Sequence, residues 1–225
     1  MRTLFNFILF ILVLKSIFSC SKLDRQNLVG IDISHHQGKI NWNLVSSENF
    51  NFAFIKATEG VSFRDKRYYI NYRNAKKIGL KTGSYHFFRA NLSPKKQARH
   101  FIKTIRLQSG DLLPVIDIES LDGVRRSVLI ERVDIFLKEI EKEFGVKPII
   151  YSSCNFYNLY LRSSFKDYPI WIAKYGLTEP ILLDFNKYEF WQYSEKGKVK
   201  GINGYTDMNL FYGGSNDLLK FSYLP

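Results

Sequence analysis

Three features of the chain predict an α/β fold, an irregular (β/α) TIM-like barrel with fewer helices in its C-terminal part. Apolar, β-prone runs alternate with helix-period patterns, as expected of a parallel sheet with helical crossovers. Seven or eight such runs fit into the chain, enough to close a barrel. Beyond about residue 175 the long helical patterns stop, so loops must join the last strands.

Taken in order, strands are expected at Leu28–Ser34, Phe50–Thr58, Lys81–Phe88, Leu112–Glu119, Lys147–Ser152, Tyr168–Lys174 and Lys187–Tyr193, with a short one near Asp207. Between them, Ser93 is placed to cap a helix with Pro94 at its first position, and Ala98, Phe101, Ile102 and Ile105 form one stripe. A second helix is marked by Leu129, Val133, Phe136, Leu137, Ile140 and Phe144 at the 3.6-residue period, with Gly145 as its stop. Weaker helical patterns fill Asp65–Ile78 and Asn155–Leu161.

Composition is that of a globular chain, 45% hydrophobic and 16% aromatic. Residues 1–20 have a basic start at Arg2, an apolar stretch Phe7–Leu14 and a small and polar end, which reads as an export signal too short to span a bilayer. Ile17, Phe18 and Ser19 before Cys20, with Ser21 after it, resemble a bacterial lipoprotein box. Cys20 would then be lipidated, the membrane being met only through that anchor on the periplasmic or cell-surface side; the alternative is plain secretion. Residues 21–27 read as a short tether and 28–225 as the barrel domain, expected to be monomeric. Cys154 is the other cysteine, so neither a disulfide framework nor a cysteine metal site is indicated, and it reads as a small buried hydrophobe.

The formal charge is +12. Such a cation favours polyanionic partners; wall material and anionic lipid fit an exported chain, whereas no nucleic-acid motif accompanies the charge. Along the sequence the basic residues read as scattered, so a solubilising surface explains them as well as a substrate-attracting field does.

The stretch 113–120, LPVIDIES, sets Asp117 and Glu119 in an apolar, strand-like run. Side chains two apart on a strand share a face, so both acids point the same way. Like charges in a confined site do not both ionise freely, which leaves a carboxylic acid beside a carboxylate: a general acid with an electrostatic partner. The competing reading puts Glu119 just past the strand in an ordinary surface salt bridge. Polar residues recur at the other expected strand ends: Asp32 and Ser34, Lys56 and Glu59, Tyr85 and His86, Tyr151, Lys174, Gln192 and Tyr193. That is where a barrel of this kind carries its reactive groups.

Eight blocks in order, GIDISHHQGKINW at 30–42, FIKATEG at 54–60, GSYHFF at 83–88, LPVIDIE at 113–119, PIIYSS at 148–153, PIWIAKY at 169–175, WQYS at 191–194 and TDMNLF at 206–211, resemble glycoside hydrolase family 25, the Chalaropsis-type lysozymes. The resemblance implies an irregular β/α barrel and hydrolysis of the β-1,4 bond between N-acetylmuramic acid and N-acetylglucosamine in peptidoglycan glycan strands. It matches Glu119 to the proton donor, Asp117 to the second carboxylate of a D-x-E motif, and Asp32 and Asp207 to flanking acids. Asp117 is then open to three roles: nucleophile, base for water, or acceptor orienting the substrate's own N-acetyl group, the last favoured by the resemblance. Carboxyl separation discriminates in part, ~5–5.5 Å for a protein nucleophile against ~6.5–9.5 Å for an inverting pair.

Sugar rings stack on aromatic faces, so Tyr85, Tyr151 and Tyr193 are expected to bind substrate with Lys174 and Gln192, while Trp171 and Trp191 read as packing. Asp32 also reads as a cap for the next loop, and Lys56 with Glu59 as an ion pair at the rim. His86 reads as a hydrogen-bonding support. On a strand His35 and His36 face opposite ways, and neither H-x-H nor H-E-x-x-H spacing accompanies them, so no metal or cofactor is expected. Two other functions remain open at this point: a noncatalytic wall-glycan-binding protein, or a hydrolase of another N-acetylated glycan such as chitin.

Overall fold

The computed structural model describes residues 27–225, so the leader and Cys20 lie outside the described residues. The strands are β1 Leu28–Ile33, β2 Phe52–Glu59, β3 Phe63–Arg64, β4 Lys81–Phe87, β5 Val115–Asp117, β6 Ile149–Ser153, β7 Ile170–Ala173, β8 Phe190–Gly197 and β9 Thr206–Phe211. Eight of them close a barrel in the order β1, β2, β4, β5, β6, β7, β8, β9 and back to β1, while β3 folds back as a hairpin on the end of β2. Each step from β1 to β8 is parallel. Strand β9 is antiparallel to both neighbours. Chain length explains the reversal: a parallel crossover needs a dozen or more residues, and the link 198–205 is too short for one. The loop 174–189 between β7 and β8 is long enough, and crosses over without a long helix.

The barrel closes with fewer helices in its C-terminal part. Helix α1 is Trp42–Val45, α2 Tyr68–Lys77, α3 Pro94–Thr104 and α4 Arg126–Phe144. Ser93 caps α3 through its hydroxyl, and Ala98, Phe101 and Ile105 are buried against the barrel. Leu129, Val133, Phe136, Leu137 and Ile140 are the buried stripe of α4, which ends where Gly145 takes the left-handed conformation at φ 69°. The weaker patterns also form helix, as α2 and as a tight helical turn over Cys154–Phe156 running into Tyr157–Leu161. Strand β5 is shorter than expected because Pro114 has no N–H for the ladder and the chain leaves the sheet after Asp117. Glu119 therefore sits beyond the strand, not in it.

Alternation divides the core in two. Ile31, Ile33, Ala53, Ile55, Ile116, Ile150 and Ile172 face outward under the helices. Phe52, Phe54, Val115, Ile149, Trp171, Phe190 and Phe211 fill the lumen, with Phe54 stacked on Trp171 at 4.4 Å between ring centres. Two glycines make that filling possible. A Cβ at Gly30 would lie 2.4 Å from the Phe52 ring, and one at Gly83 2.4 Å from the Phe54 ring. Alanine would gain roughly 0.5–1 kcal/mol of strand preference over glycine. Forcing a buried ring aside costs typically ~1–3 kcal/mol and outweighs it. Gly30→Ala is therefore expected to lower the urea midpoint at an unchanged slope; a midpoint equal to or above wild type would contradict this packing.

Candidate active site

The carboxyl ends of the parallel strands form one rim. Because β9 runs the other way, its start reaches the same rim, and Asp207 pairs in register with Asp32. Asp32 is buried, and its Oδ2 accepts from Gln192 Nε2 at 2.8 Å and Asn209 Nδ2 at 2.9 Å. Burial, then the charge of Asp207, push the Asp32 carboxyl well above the usual range. Burial pushes Asp207 up to about 6, with its hydrogen bond to Asp32 acting the other way. Each of these two acids is thus a weaker acid than a free carboxyl.

The second pair is Asp117 and Glu119. Asp117 is buried at the end of β5, and its carboxyl is raised by burial first, then by the charge of Glu119 and a hydrogen bond with it; Lys56 opposes the shift. Its Oδ1 is buried and has no hydrogen-bond partner. Glu119 is exposed, takes part in none of the described ion pairs, and lines a cavity of about 280 Å³ with Tyr151, Ser153, Lys174 and Tyr175. A buried carboxyl with a free acceptor oxygen thus stands beside an accessible one.

Tyrosines and one amide connect the pairs. Gln192 donates to Asp32 and accepts from the Tyr151 hydroxyl at 2.9 Å and the Tyr175 hydroxyl at 3.2 Å. Burial pushes the Tyr151 hydroxyl up, reinforced by Glu119, Asp117 and Asp32, so it stays a neutral phenol. Tyr85 is raised by burial and by Asp32, Asp117 and Asp207, which places it among the acids.

The structure therefore brings together Asp32, Asp207, Asp117, Glu119, Tyr85, Tyr151 and Gln192. Lys174 lines the cavity, but its Nζ donates to the Glu179 carbonyl at 2.9 Å. Tyr193 stands apart: it packs against Trp191 at 6.0 Å, and burial alone perturbs its hydroxyl. Trp171 fills the lumen and donates to Asn209 Oδ1 at 2.9 Å, while Trp191 donates to the Lys174 carbonyl at 2.8 Å. His86 lies on the outer face between Thr58 Oγ1 at 2.7 Å and Gln97 Oε1 at 3.2 Å, pushed down to about 3 by burial. It is neutral and turned away from the rim.

Lys56 and Glu59 pair at 2.7 Å, and Arg89 grips the other oxygen of Glu59. His35 and His36 lie in a one-turn 3-10 helix, where their ring centres are 4.1 Å apart, so the opposite facing expected of a strand does not hold. His35 Nδ1 bonds Asp65 at 2.8 Å. Among the described residues no group of three His, Cys, Asp or Glu could hold a metal ion. Two members were not foreseen. Asn209 had a signal, lying two residues after Asp207 and so on the same face of β9. Tyr175 follows Lys174 directly in PIWIAKY, but only the geometry of the β7 exit turns it to Gln192.

Raised carboxyls destabilise the fold where they ionise. An acid whose folded value exceeds its unfolded one contributes stability at low pH that is lost as pH rises through the folded value. For Asp207 that window runs from 3.8 to about 6. Asp207→Asn is expected to unfold at a higher temperature than wild type at pH 8, by up to about 2 kcal/mol, with no gain at pH 4. Equal loss of stability at both values would refute the assignment.

The same barrel recurs in known proteins. The model of glycosyl hydrolases family 25 matches residues 31–202. Uncharacterized protein YegX of Escherichia coli K12 is 40% identical over 197 residues, covering 85% of this chain and 72% of its own. Lysozyme M1 of Streptomyces globisporus is 35% identical over 210 residues, covering 87% and 71%. Among solved structures, the bacterial lysozyme from Streptomyces coelicolor superimposes with a TM-score of 0.83 at 33% identity, over 88% of this chain and 98% of that one. A family 25 glycosyl hydrolase from Bacillus anthracis gives 0.81 at 34%, over 87% and 93%. The chain belongs to glycosyl hydrolases family 25 and is a glycoside hydrolase.

Proposed function

We propose that the enzyme is a muramidase that hydrolyses the β-1,4 bond between N-acetylmuramic acid and N-acetylglucosamine in peptidoglycan, with Glu119 as general acid. Relatives named lysozyme support the substrate class. The observation that carries the mechanism is the contrast within one pair: Glu119 is open to the cleft, and Asp117 is buried with an unpartnered oxygen. Buried polar atoms are almost always hydrogen-bonded, so an exception at a catalytic rim calls for a donor from outside. An acetamido N–H supplies one.

In this reading Asp117 takes the N–H of the sugar's N-acetyl group and turns its carbonyl oxygen toward the anomeric carbon. Glu119 protonates the departing glycosidic oxygen. The unpartnered Asp117 oxygen, suited to an acetamido N–H, favours assistance by the substrate and retention of configuration. Asp32 and Asp207 supply negative charge beside the oxocarbenium-like centre. Tyr85, Tyr151, Gln192 and Lys174 border the sugar sites. Tyr193, away from the acids, is at most a contact at a more distant sugar.

Activity needs one proton on the Asp117–Glu119 pair. Burial of Asp117 and its repulsion by Glu119 raise the proton affinity of the pair as a unit, and loss of the pair's last proton as pH rises sets the alkaline limb. At low pH the acids gain further protons and lose the charge that stabilises the transition state. A bell-shaped rate profile with an acidic optimum is expected, its limbs belonging to the coupled cluster and not to single residues. Activity climbing steadily into alkaline solution would contradict it. For the chain's N-terminus, we propose that Cys20 is lipidated and holds the enzyme at the membrane; Cys20→Ser should release it to the soluble fraction with activity intact, and a wild type already soluble and unlipidated would remove the anchor.

A further inference from the structure

Charge divides this chain unevenly. Residues 61–110 carry 13 Lys and Arg against a single acid, Asp65, so this stretch alone holds the +12 of the whole protein. The remainder is neutral on balance. What looks scattered along the sequence is one flank in space, because these residues build β3, α2, β4 and α3, which lie side by side on the barrel. Asp65 does not offset the flank outside, being buried on His35.

The flank is also hollowed. A groove of about 890 Å³, larger than the cavity at Glu119, is lined by Arg64, Tyr69, Tyr72, Arg73, Lys76 and Arg106 among others. Tyr69, Arg73 and Lys76 follow the helical spacing down one face of α2. Tyr69 and Tyr72 fix the opposite wall by donating to the carbonyls of Thr104 and Arg106. Lys76 is held by Asp111 at 2.6 Å. Arg64, Arg73 and Arg106 are exposed, and no carboxylate among the described residues pairs with them. Arg64 lies over the Tyr69 ring at 5.6 Å, and its strand β3 is hydrogen-bonded to the rim end of β2. The groove thus begins beside the catalytic rim and runs down the flank.

We infer that this groove is a second binding surface for anionic wall polymer, seating carboxylates of peptide-bearing glycan on Arg64, Arg73 and Arg106. Guanidinium forks match carboxylates, and a row of them along a concave path suits a flexible chain better than a flat bilayer. A one-signed field next to a catalytic mouth also raises the local concentration of an oppositely charged substrate. The inference rests on the muramidase reading, since it takes the retained polymer to be the substrate.

The test compares wild type, Arg64→Gln/Arg73→Gln/Arg106→Gln, and a control with the same loss of charge on the opposite side, Lys142→Gln/Lys166→Gln/Lys187→Gln. Each is sedimented with purified insoluble peptidoglycan, native or with its carboxyls amidated, at low and high salt, and assayed on short peptide-free glycan. Exposed pairs are worth little singly, but three together should weaken binding about tenfold. The groove variant should lose that affinity and most of the salt dependence while cleaving short glycan at the wild-type rate, and amidated polymer should bind wild type as weakly. Equal loss in the control would reduce the effect to net charge and overturn the proposal. So would unchanged binding by the groove variant, or wild type preferring phosphatidylglycerol vesicles to native polymer. If wild type cleaves no peptidoglycan, the muramidase reading fails, and sedimentation still decides whether the groove binds it.

Discussion

Glu119→Gln is expected to reduce turnover on peptidoglycan by about 10²–10⁴-fold, the usual worth of a positioned general acid. The amide is nearly isosteric and has no proton of the required acidity to give. Because Glu119 is exposed and outside every described ion pair, the fold should be untouched, and thermal unfolding should match wild type. Glycan binding should also survive. Near-wild-type turnover would remove Glu119 from the role.

Asp117→Asn is the second large effect. The carboxyl is buried with an oxygen that lacks a partner, so its charge is available to a substrate group in a dry setting where one stabilising contact counts heavily. A loss of about 10²–10³-fold in kcat is expected, comparable to removing one preorganised stabilising group, with KM little changed. An asparagine keeps the shape but brings no charge to the acetamido N–H. If kcat held and only KM rose, Asp117 would be a ground-state contact and assistance by the substrate would fail. Burial predicts a further sign: with the ionisation cost gone, the variant should be at least as stable as wild type at neutral pH, an exchange of stability for function common at active sites.

Much of this is legible in the sequence alone. Periodicity found the strands because each lumen-facing or helix-facing position needs an apolar side chain, and it found α4 and its end because Gly145 is where the left-handed turn falls. The D-x-E spacing sets Asp117 and Glu119 close together, but Glu119 lies past the end of β5, so strand alternation is not what places it there. Other facts depend on chain reversal and distance. Asp207 reaches Asp32 only because β9 runs antiparallel, which follows from a short link and not from the TDMNLF block itself. Strand ends were overextended at β5, where Pro114 and the departure at Ile118 put Glu119 outside the ladder and into solvent. Tyr193 is expected at a sugar site because aromatics at strand ends stack on sugar rings; two residues from Trp191 on β8, it packs against that ring, apart from the acids. The basic bias of 61–110 contains no long run of like charges, because its cations are spaced along helices; the groove forms only where Tyr69 and Tyr72 of α2 bond the carbonyls of Thr104 and Arg106.

The most direct test of the central claim is to incubate the purified enzyme with peptidoglycan, reduce the released fragments and determine by mass analysis which sugar carries the new reducing end. N-acetylmuramic acid at that end is the predicted result. N-acetylglucosamine there, or peptide release with the glycan strands intact, would contradict the account.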